Sequence, residues 1–191
     1  MPDKIVEEKN FENQNFAQQL LPVAAYEYCT FSNCVFTEAD LTNCAFMECE
    51  FENCDLSNAV LAKVAFKNVQ FKHCKMMGLP FPDCNDFLLE MGFQDCQLDF
   101  SSFYQVNLKK TSFKNCRLKE VDFTETDLSE AIFADCDLKG AMFEQTNLEK
   151  ADLRTAINYV IDPENNVIKK ARFSLRGLPG LLSKYQIKVE K

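Results

Sequence analysis

The sequence predicts a repetitive fold, in which one structural unit recurs along the chain. The main observation is a four-residue pattern, Phe-X-X-Cys, that keeps returning. It occurs as FSNC (31–34), FENC (51–54), FKHC (71–74), FQDC (93–96), FKNC (113–116) and FADC (133–136). The successive steps are 20, 20, 22, 20 and 20 residues. A period of this length is typical of solenoids and other repeat architectures.

A shorter period of five residues lies inside the longer one. Large apolar residues occupy every fifth position from Tyr26 to Phe81 and again from Leu88 to Leu153, and 24 of these 26 positions are Phe or Leu. The same register extends back to Phe11. An α-helix repeats every 3.6 residues and a strand every two, so neither explains a sustained period of five.

A second rule concerns the residue two positions before each apolar centre. This position is mostly Cys, Ala or Val, and nine of the ten cysteines occupy it, Cys84 being the exception. The flanking positions are mostly Asp, Asn, Glu, Lys, Ser and Thr. We therefore expect one large and one small residue of each five to fill the interior, with polar residues outside.

These units resemble the pentapeptide-repeat family, whose consensus unit is A(D/N)LXX. Matching units include CAFME, CDLSN, CRLKE, CDLKG and ADLRT, and the match covers residues 11–157. The resemblance implies an all-β solenoid: a right-handed, quadrilateral parallel β-helix in which four pentapeptides complete one coil. About seven coils would be stacked at a strand spacing of about 4.8 Å. We predict an N-terminal cap segment at 1–10, a two-residue insertion within 82–87, and a C-terminal capping and dimerisation segment, with a short helix, at 158–191.

Within such a coil, two interior columns are expected along one side of the rod. The aromatic column contains Phe31, Phe51, Phe71, Phe93, Phe113 and Phe133. The thiol column contains Cys34, Cys54, Cys74, Cys96, Cys116 and Cys136. Phe and Leu alternate strictly from Phe93 to Leu148, which predicts Phe on two opposite sides of the rod and Leu on the other two.

Composition narrows the possible functions and locations. The chain has 191 residues and a net charge of −8, which argues against direct nucleic-acid binding, since DNA-binding proteins concentrate Lys and Arg. No apolar run approaches the roughly 20 residues needed to cross a membrane. The opening residues, MPDKIVEEKN, contain no apolar leader. We therefore expect a cytoplasmic protein whose ten cysteines are free thiols.

The residue pattern predicts no catalytic site, metal site or cofactor. Stacked cysteines form a line and do not converge on a tetrahedral point, so a metal site is not indicated. His73, the single histidine, occupies the position of Asn33 and Asn53 in neighbouring coils, without an evident nucleophile to activate. The carboxylates stand at outward positions, whereas a general acid–base pair needs a cleft. We predict a non-enzymatic protein.

Charge is distributed unevenly along the chain. Residues 1–62 hold eleven acids and two lysines, and residues 120–152 hold ten acids and two lysines. A basic patch lies between them: Lys109, Lys110, Lys114, Arg117 and Lys119. The pattern indicates either an ordinary solvated surface or an acidic rod that competes for a DNA-binding site. Under the second interpretation the candidate partner-binding residues are Asp122, Asp127, Glu130 and Asp137.

The stretch LPFPDCNDFLLEMG (79–92) interrupts the repeat and contains two prolines and Cys84. It is either a small bulge in the wall of the rod or a recognition loop, since loops on rigid scaffolds often carry function. Two extra residues add little surface for recognition. We expect Cys84 to be the most accessible of the thiols.

The tail beyond Arg154 departs from the repeat. DPENN is typical of a turn, Pro179 of the first turn of a helix, and QIKV of a short strand. The predicted helix has one apolar face, whose residues could cap the rod or pair around a twofold axis. These candidate dimer-interface residues are Leu178, Leu181, Leu182 and Tyr185.

With its GLLSKYQIKV segment, the tail resembles that of the Qnr, MfpA and microcin B17 immunity-type subgroup. This resemblance implies a homodimer formed through the C-terminal segment. It also implies a protein partner, DNA gyrase or topoisomerase IV, which the rod binds as a DNA mimic, giving protection from quinolone-type poisons. The alternative is a pentapeptide-repeat scaffold or regulator that binds an unrelated cytoplasmic protein.

Overall fold

A computed structural model describes residues 2–85 and 89–188. Across these residues, twelve short strands form one sheet with parallel pairing. The strands are β1 (Ile5–Glu7), β2 (Asn10–Glu12), β3 (Ala25–Glu27), β4 (Thr30–Ser32), β5 (Ala45–Met47), β6 (Glu50–Glu52), β7 (Ala65–Lys72), β8 (Leu89–Gln94), β9 (Ser112–Lys114), β10 (Ile132–Ala134), β11 (Asp152–Leu153) and β12 (Arg172–Phe173). Short 3₁₀ turns occupy Phe81–Asp83, Leu175–Gly177 and Ser183–Tyr185, and the helix α1 spans Pro179–Leu182.

The predicted parallel β-helix is confirmed, with about eight turns where about seven were expected. The ladder begins with β1 on β3 and ends with β11 on β12, so it extends beyond the predicted limits of 11–157 at both ends. Residues 5–10 and part of 158–191 therefore belong to paired coils. The sequence pattern misses these outer coils because the five-residue register passes through Val6 at one end and through Asn158, Pro163 and Ile168 at the other, none of which is Phe or Leu.

Four faces run along the rod, and each is numbered here by its column of inward-facing residues. Face 1 carries Tyr26, Phe46, Phe66, Leu108, Leu128 and Leu148; face 2 carries the aromatic column from Phe31 to Phe133; face 3 carries Phe36, Leu56, Leu98, Leu118 and Leu138; face 4 carries Leu41, Leu61, Phe81, Phe103, Phe123 and Phe143. Beyond Phe93, therefore, Phe lies on faces 2 and 4, and Leu on faces 1 and 3. Faces ten residues apart in the coil lie opposite each other.

The interior is a set of stacked columns with almost no solvent exposure. Every residue of the predicted aromatic and thiol columns is at most 2% exposed. Rings on one face stack in parallel, as for Phe113 and Phe133, whose centroids are 5.0 Å apart. Rings on adjacent faces meet edge to face, as for Phe103 and Phe113 at 6.2 Å. Both arrangements are favourable for the aromatic quadrupoles. The ring geometry therefore stabilises the core in addition to the burial of apolar surface.

The chain turns from one face to the next at residues with left-handed backbone. Asn33, Asn53 and Asn115 are examples, with φ of 54°, 52° and 51°. Asn tolerates this region of backbone conformation better than most residues, which explains why Asn recurs at these corners. Phe100 occupies a corner of the same kind with φ of 63° and is 63% exposed.

The insertion interrupts the register once, at β8. Phe66 pairs with Leu89, 23 residues later, and Val69 pairs with Met91, 22 residues later. The spacing at Leu89 is therefore three residues longer than a regular coil. An irregularity in the β7–β8 pairing reduces this excess to two residues at Met91. The net excess is the two residues that the sequence pattern indicates. Leu88, predicted as an apolar centre, lies outside the described residues, and Leu89 is the partner of Phe66.

The C-terminal end of the rod is covered by the tail. Leu181 packs against the core, and the carbonyl of Gly180 accepts a hydrogen bond from the Ile161 amide at 3.1 Å. A Cβ at Gly180 would clash with the carbonyl oxygen of Tyr159, so glycine permits this close approach of α1 to the last coil. Two ion pairs fasten the segment further, from Lys184 to Asp162 at 2.7 Å and to Glu164 at 2.6 Å.

The tail differs from the prediction in two details. The four candidate dimer residues do not share one apolar face: Leu178 and Tyr185 are exposed, while Leu181 packs on the core. The reason is that α1 is only four residues long and passes into a 3₁₀ turn. Residues 186–188, predicted to enter a strand, are not in a strand, and 189–191 lie outside the described residues. No helix in the described part of the chain is long and apolar enough to cross a membrane.

Candidate partner-binding surface

The four predicted partner-binding carboxylates lie on three faces of the rod. Asp127 is on face 1, Asp137 on face 3 and Asp122 on face 4, each in the ladder of bridges that links successive coils. Glu130 stands at the corner between faces 1 and 2, with a left-handed φ of 60°. Because faces 1 and 3 are opposite, Asp127 and Asp137 point away from each other. The structure therefore does not bring the four residues together.

All four carboxylates are engaged in the rod's own structure, Glu130 through an ion pair with Lys109 at 3.9 Å. Asp122 and Asp127 each accept a hydrogen bond, at 2.9 Å, from the backbone amide two residues later. Asp137 accepts one from the side-chain amide of Asn158 at 2.7 Å and lies 3.3 Å from Lys119. Partial burial alone would raise the pKa of Asp137, but the hydrogen bonds from Asn158 and Lys119 outweigh it and lower the pKa.

The predicted basic patch is a belt around one coil, and acids of the adjacent coils partly neutralise it. Lys109 and Lys110 are on the face 1 side, Lys114 on face 2, and Arg117 and Lys119 on face 3. The ion pairs are Lys109–Glu130 at 3.9 Å, Arg117–Asp99 at 2.6 Å and Lys119–Asp137 at 3.3 Å. The acidic segment at 120–152 therefore presents less free charge than its net charge indicates.

The first three coils bring seven glutamates together on face 2 and at the corner where face 1 meets it. We call this set the acidic edge: Glu7, Glu8, Glu12, Glu27, Glu48, Glu50 and Glu52. The coil register creates it, since Glu7 pairs directly with Glu27, and Glu12 lies two coils from Glu52 in one column. Sequence reasoning found the charge of residues 1–62 but not its convergence. The signal that would reveal it is the position of each acid within the twenty-residue coil.

Most of the acidic edge has no basic partner. Glu50 pairs with Lys72 at 2.6 Å, and Glu48 accepts a hydrogen bond from Asn68 at 2.6 Å. Within residues 2–85 and 89–188, the other five glutamates form no ion pair. Tyr28 stands among them at the corner between faces 1 and 2, with 62% of its surface exposed. Tyrosine is enriched among the residues that contribute most of the binding energy at protein interfaces.

The described residues contain no group of three or more side chains able to hold a metal ion. All ten cysteines are free and buried, and Cys84 is the most exposed of them at 9%. His73 lies on an exposed corner with its Nδ1 3.7 Å from Asp95. A cavity of about 500 Å³ lies beside the insertion and is lined by Phe81, Cys84, Leu89 and Tyr104, among others. None of these features assembles a nucleophile with a base.

Family models match the chain over two long segments. Residues 26–75 match the model described as pentapeptide repeats in nine copies, and residues 88–157 match the pentapeptide repeat region model. Together the two segments span more than half of the chain. The chain belongs to the pentapeptide-repeat family. No curated protein matched this pentapeptide-repeat chain at the level of sequence.

Solved pentapeptide-repeat structures share the general architecture at low identity. Trypsin-treated QnrB1, a plasmid-mediated fluoroquinolone resistance protein, is 19% identical, with 98% of this chain and 100% of that chain covered and a TM-score of 0.49. HetL, involved in heterocyst differentiation regulation in the cyanobacterium Nostoc sp. strain PCC 7120, is 15% identical, with 91% and 88% covered and a TM-score of 0.44.

The C-terminal segment of this pentapeptide-repeat chain presents a second exposed surface. Leu175, Leu178, Tyr185 and Ile187 are 86%, 40%, 53% and 56% exposed. The Tyr185 hydroxyl donates a hydrogen bond to Glu164 at 2.8 Å, so its ring is held against the tail's own turn. Of the four predicted dimer residues, Leu178 and Tyr185 are therefore accessible to a second copy, Leu182 is half-buried, and Leu181 is used by the cap.

Proposed function

We propose that this pentapeptide-repeat chain is a non-enzymatic protein that binds a type II topoisomerase, DNA gyrase or topoisomerase IV, in place of DNA and so protects the enzyme from quinolone-type poisons. The observation that carries the proposal is the acidic edge on the first three coils. The resemblance of the tail to the Qnr-type subgroup supports the choice of partner. Members of the family are generally structural or protein-binding proteins, which supports the non-enzymatic assignment.

The charge density of the acidic edge is comparable with that of DNA over a short distance. Three coils at strand spacing extend about 14 Å. Seven carboxylates then give about one charge per 2 Å, against about one per 1.7 Å in duplex DNA. Lys4 and Lys9 lie on the same coils and reduce the net density to about one charge per 3 Å. We therefore expect a partial imitation of DNA, whose binding to a basic surface weakens steeply with added salt.

A homodimer through the C-terminal segment would place the two acidic regions at different distances from the dyad. The segment at 120–152 would lie on either side of the dyad, and the acidic edges would lie at the two outer ends. A basic surface that grips DNA over several turns could contact both regions of such a rod. We propose a cytoplasmic location for this dimer, supported by the ten unpaired thiols.

The test is DNA supercoiling by gyrase from the native host, with and without a quinolone, across a titration of the protein. Two variants with the same change in charge are compared. One replaces Glu7, Glu8, Glu12 and Glu27 by Gln. The other replaces the four carboxylates of the 120–152 segment by amides: Asp122→Asn, Asp127→Asn, Glu130→Gln and Asp137→Asn.

We expect both variants to bind gyrase more weakly, and the acidic-edge variant to lose more, because its carboxylates are free in the unbound protein. Both rods should stay folded, since Asn at 122 and 127 can still accept the backbone hydrogen bond. If the wild-type protein gives neither inhibition nor protection at about micromolar concentration, well above the Kd of typical specific complexes, the topoisomerase assignment is wrong. The scaffold or regulator alternative would then stand.

A further inference from the structure

We propose that the N-terminal end of the rod binds an extended segment of a partner protein, rich in Lys or Arg, which adds as a further strand to β1. The segment would present apolar side chains to the open end of the core and basic side chains to the neighbouring glutamates. This site shares Glu7, Glu8 and Glu12 with the acidic edge, but strand addition to β1 is tested with a peptide and does not depend on the topoisomerase assignment. Four observations support it: a free backbone edge, an uncovered core, a charge pattern and the difference between the two ends of the rod.

The backbone edge of β1 is open. Within the described residues, β1 pairs only with β3 and stands at the end of the sheet. The Lys4 carbonyl accepts from the Ala25 amide at 2.8 Å, and the Glu8 amide donates to Glu27 at 2.9 Å, so these groups face the second coil. Because backbone groups alternate in direction along a parallel strand, those of Ile5 and Glu7 face away from the rod. They provide two donors and two acceptors to an added strand.

The adjacent edge of β2 is less available. The strand pairs only with β4 in the described structure, but the side-chain amide of Gln14 donates to the Glu12 carbonyl at 2.9 Å. This contact occupies one of the acceptors that an added strand would use. We therefore assign the added strand to β1, whose outward groups have no such partner among the residues that the structure describes.

The core beneath this edge is only partly covered. Phe31 stacks between Phe11 and Phe51, with centroid distances of 4.7 Å on both sides. Phe11 has the Phe31 ring on one side only, and both Phe11 and Val6 are partly exposed. An apolar side chain of an added strand would cover them as each coil covers the next. The opposite end differs, because Leu181 and the tail cover it.

Charge complementarity selects a basic partner over a second copy. Glu7, Glu8 and Glu12 are exposed, and none forms an ion pair within the described residues. A second copy meeting this end would bring the same carboxylates against them, at a cost from like-charge repulsion. The rod itself pairs opposite charges between successive coils, as in the Lys72–Glu50 ion pair at 2.6 Å. Strand addition with side chains of suitable charge is an established mode of peptide recognition.

The experiment measures binding of a fluorescein-labelled, capped peptide of alternating Lys and Val to the full-length protein by fluorescence anisotropy. A second peptide of the same sequence is N-methylated at every other residue, which keeps its charge but removes backbone donors. We expect the first peptide to bind at least about tenfold more tightly than the second. Two protein variants test the site: Ile5→Pro, and Glu7→Lys with Glu8→Lys.

Ile5→Pro should abolish binding of the first peptide with little change in the melting temperature, because proline is tolerated at the first residue of an edge strand. The Glu7→Lys, Glu8→Lys variant should bind it about tenfold more weakly. Glu125→Lys with Glu144→Lys makes the same charge change on face 4 and should leave binding unaffected. Equal binding of the two peptides, or equal loss in the two charge variants, would overturn the proposal. So would a wild-type dimer that dissociates on Ile5→Pro, which would place a second copy at this end.

Discussion

Phe71 and Phe93 stack with their ring centroids 5.5 Å apart and their planes within 10°, although 22 residues separate them where other coils have 20. The aromatic column therefore passes the insertion without a break. Extra residues that entered the column would leave a void or an unpaired polar group in the core, and either is costly. The register excess is instead taken up before Phe93, which returns to the same face as Phe71. The repeat tolerates an insertion where the interior contact is preserved.

Phe113 should contribute far more to stability than its neighbour Lys114. Phe113 is fully buried and stacks on Phe93 at 5.1 Å and Phe133 at 5.0 Å, whereas Lys114 is exposed. We expect Phe113→Ala to lower the free energy of unfolding by about 3–5 kcal/mol. Lys114→Ala should change it by no more than about 0.5 kcal/mol. Chemical denaturation of the two variants measures both values, and equal losses would contradict the inward and outward assignment.

Cys84 should be the first thiol to react in the folded protein. It is the most exposed cysteine, at 9%, whereas Cys116 is 2% exposed. Burial, aided by the charge of Asp83, raises the pKa of Cys84 to about 12. The thiolate is the reactive form, so labelling should be slow near neutral pH and should keep accelerating as pH rises beyond 9, where a free cysteine levels off. Alkylation under native conditions followed by mass spectrometry gives these rates. Faster labelling of Cys116 than of Cys84 would contradict the prediction.

The assembly state should depend on Leu178 and Leu182 of the tail. We predict that the wild-type protein is a dimer in light scattering and that Leu178→Arg with Leu182→Arg makes it monomeric. The β circular dichroism should be largely retained, because the stability of a solenoid is a sum of local interfaces. Leu181→Arg is the informative control, since Leu181 packs on the core and its loss should loosen the cap. A monomeric wild type would rule out the dimer.

The sequence predicts the repeat far better than it predicts the ends. Inward positions recur every five residues, so the period alone is enough to place Phe113 and Cys116 in the interior. The outermost coils escape this rule, because Val6 and Ile168 are poor matches to the repeat. The tail is harder still: whether Leu178 faces solvent and Leu181 the core depends on a helix only four residues long and on its docking against Tyr159. Such docking depends on tertiary contacts, which the spacing of apolar residues along a helix does not reveal.

The candidate surface is predictable only in part, for a related reason. Net charge is a sum over the chain, whereas a binding surface depends on where each acid lies around the coil. Asp127 and Asp137 are ten residues apart in sequence and lie on opposite faces, while Glu7 and Glu27 are twenty apart and adjacent. The coil register, applied residue by residue, is sufficient to identify the acidic edge. The ion pairs of the basic belt depend on side-chain positions, which the register does not specify.

Phe100 is predicted to be a destabilising residue that can be improved. It adopts a left-handed backbone with φ of 63° and is 63% exposed. A bulky side chain in this region costs about 1–2 kcal/mol, and little burial compensates for it here. The equivalent corners on the other coils carry Glu38, Asn58, Gly78, Glu120 and Gly140, and of these Asn and Gly accept the conformation most readily. Phe100→Asn should therefore stabilise the rod by about 0.5–1 kcal/mol.

Phe100→Val is the matched control and should destabilise it, because a β-branched residue is still less compatible with positive φ. Thermal melts of the two variants decide the matter. A lower melting temperature for Phe100→Asn would mean that the exposed ring makes a stabilising contact on the rod that outweighs the backbone cost.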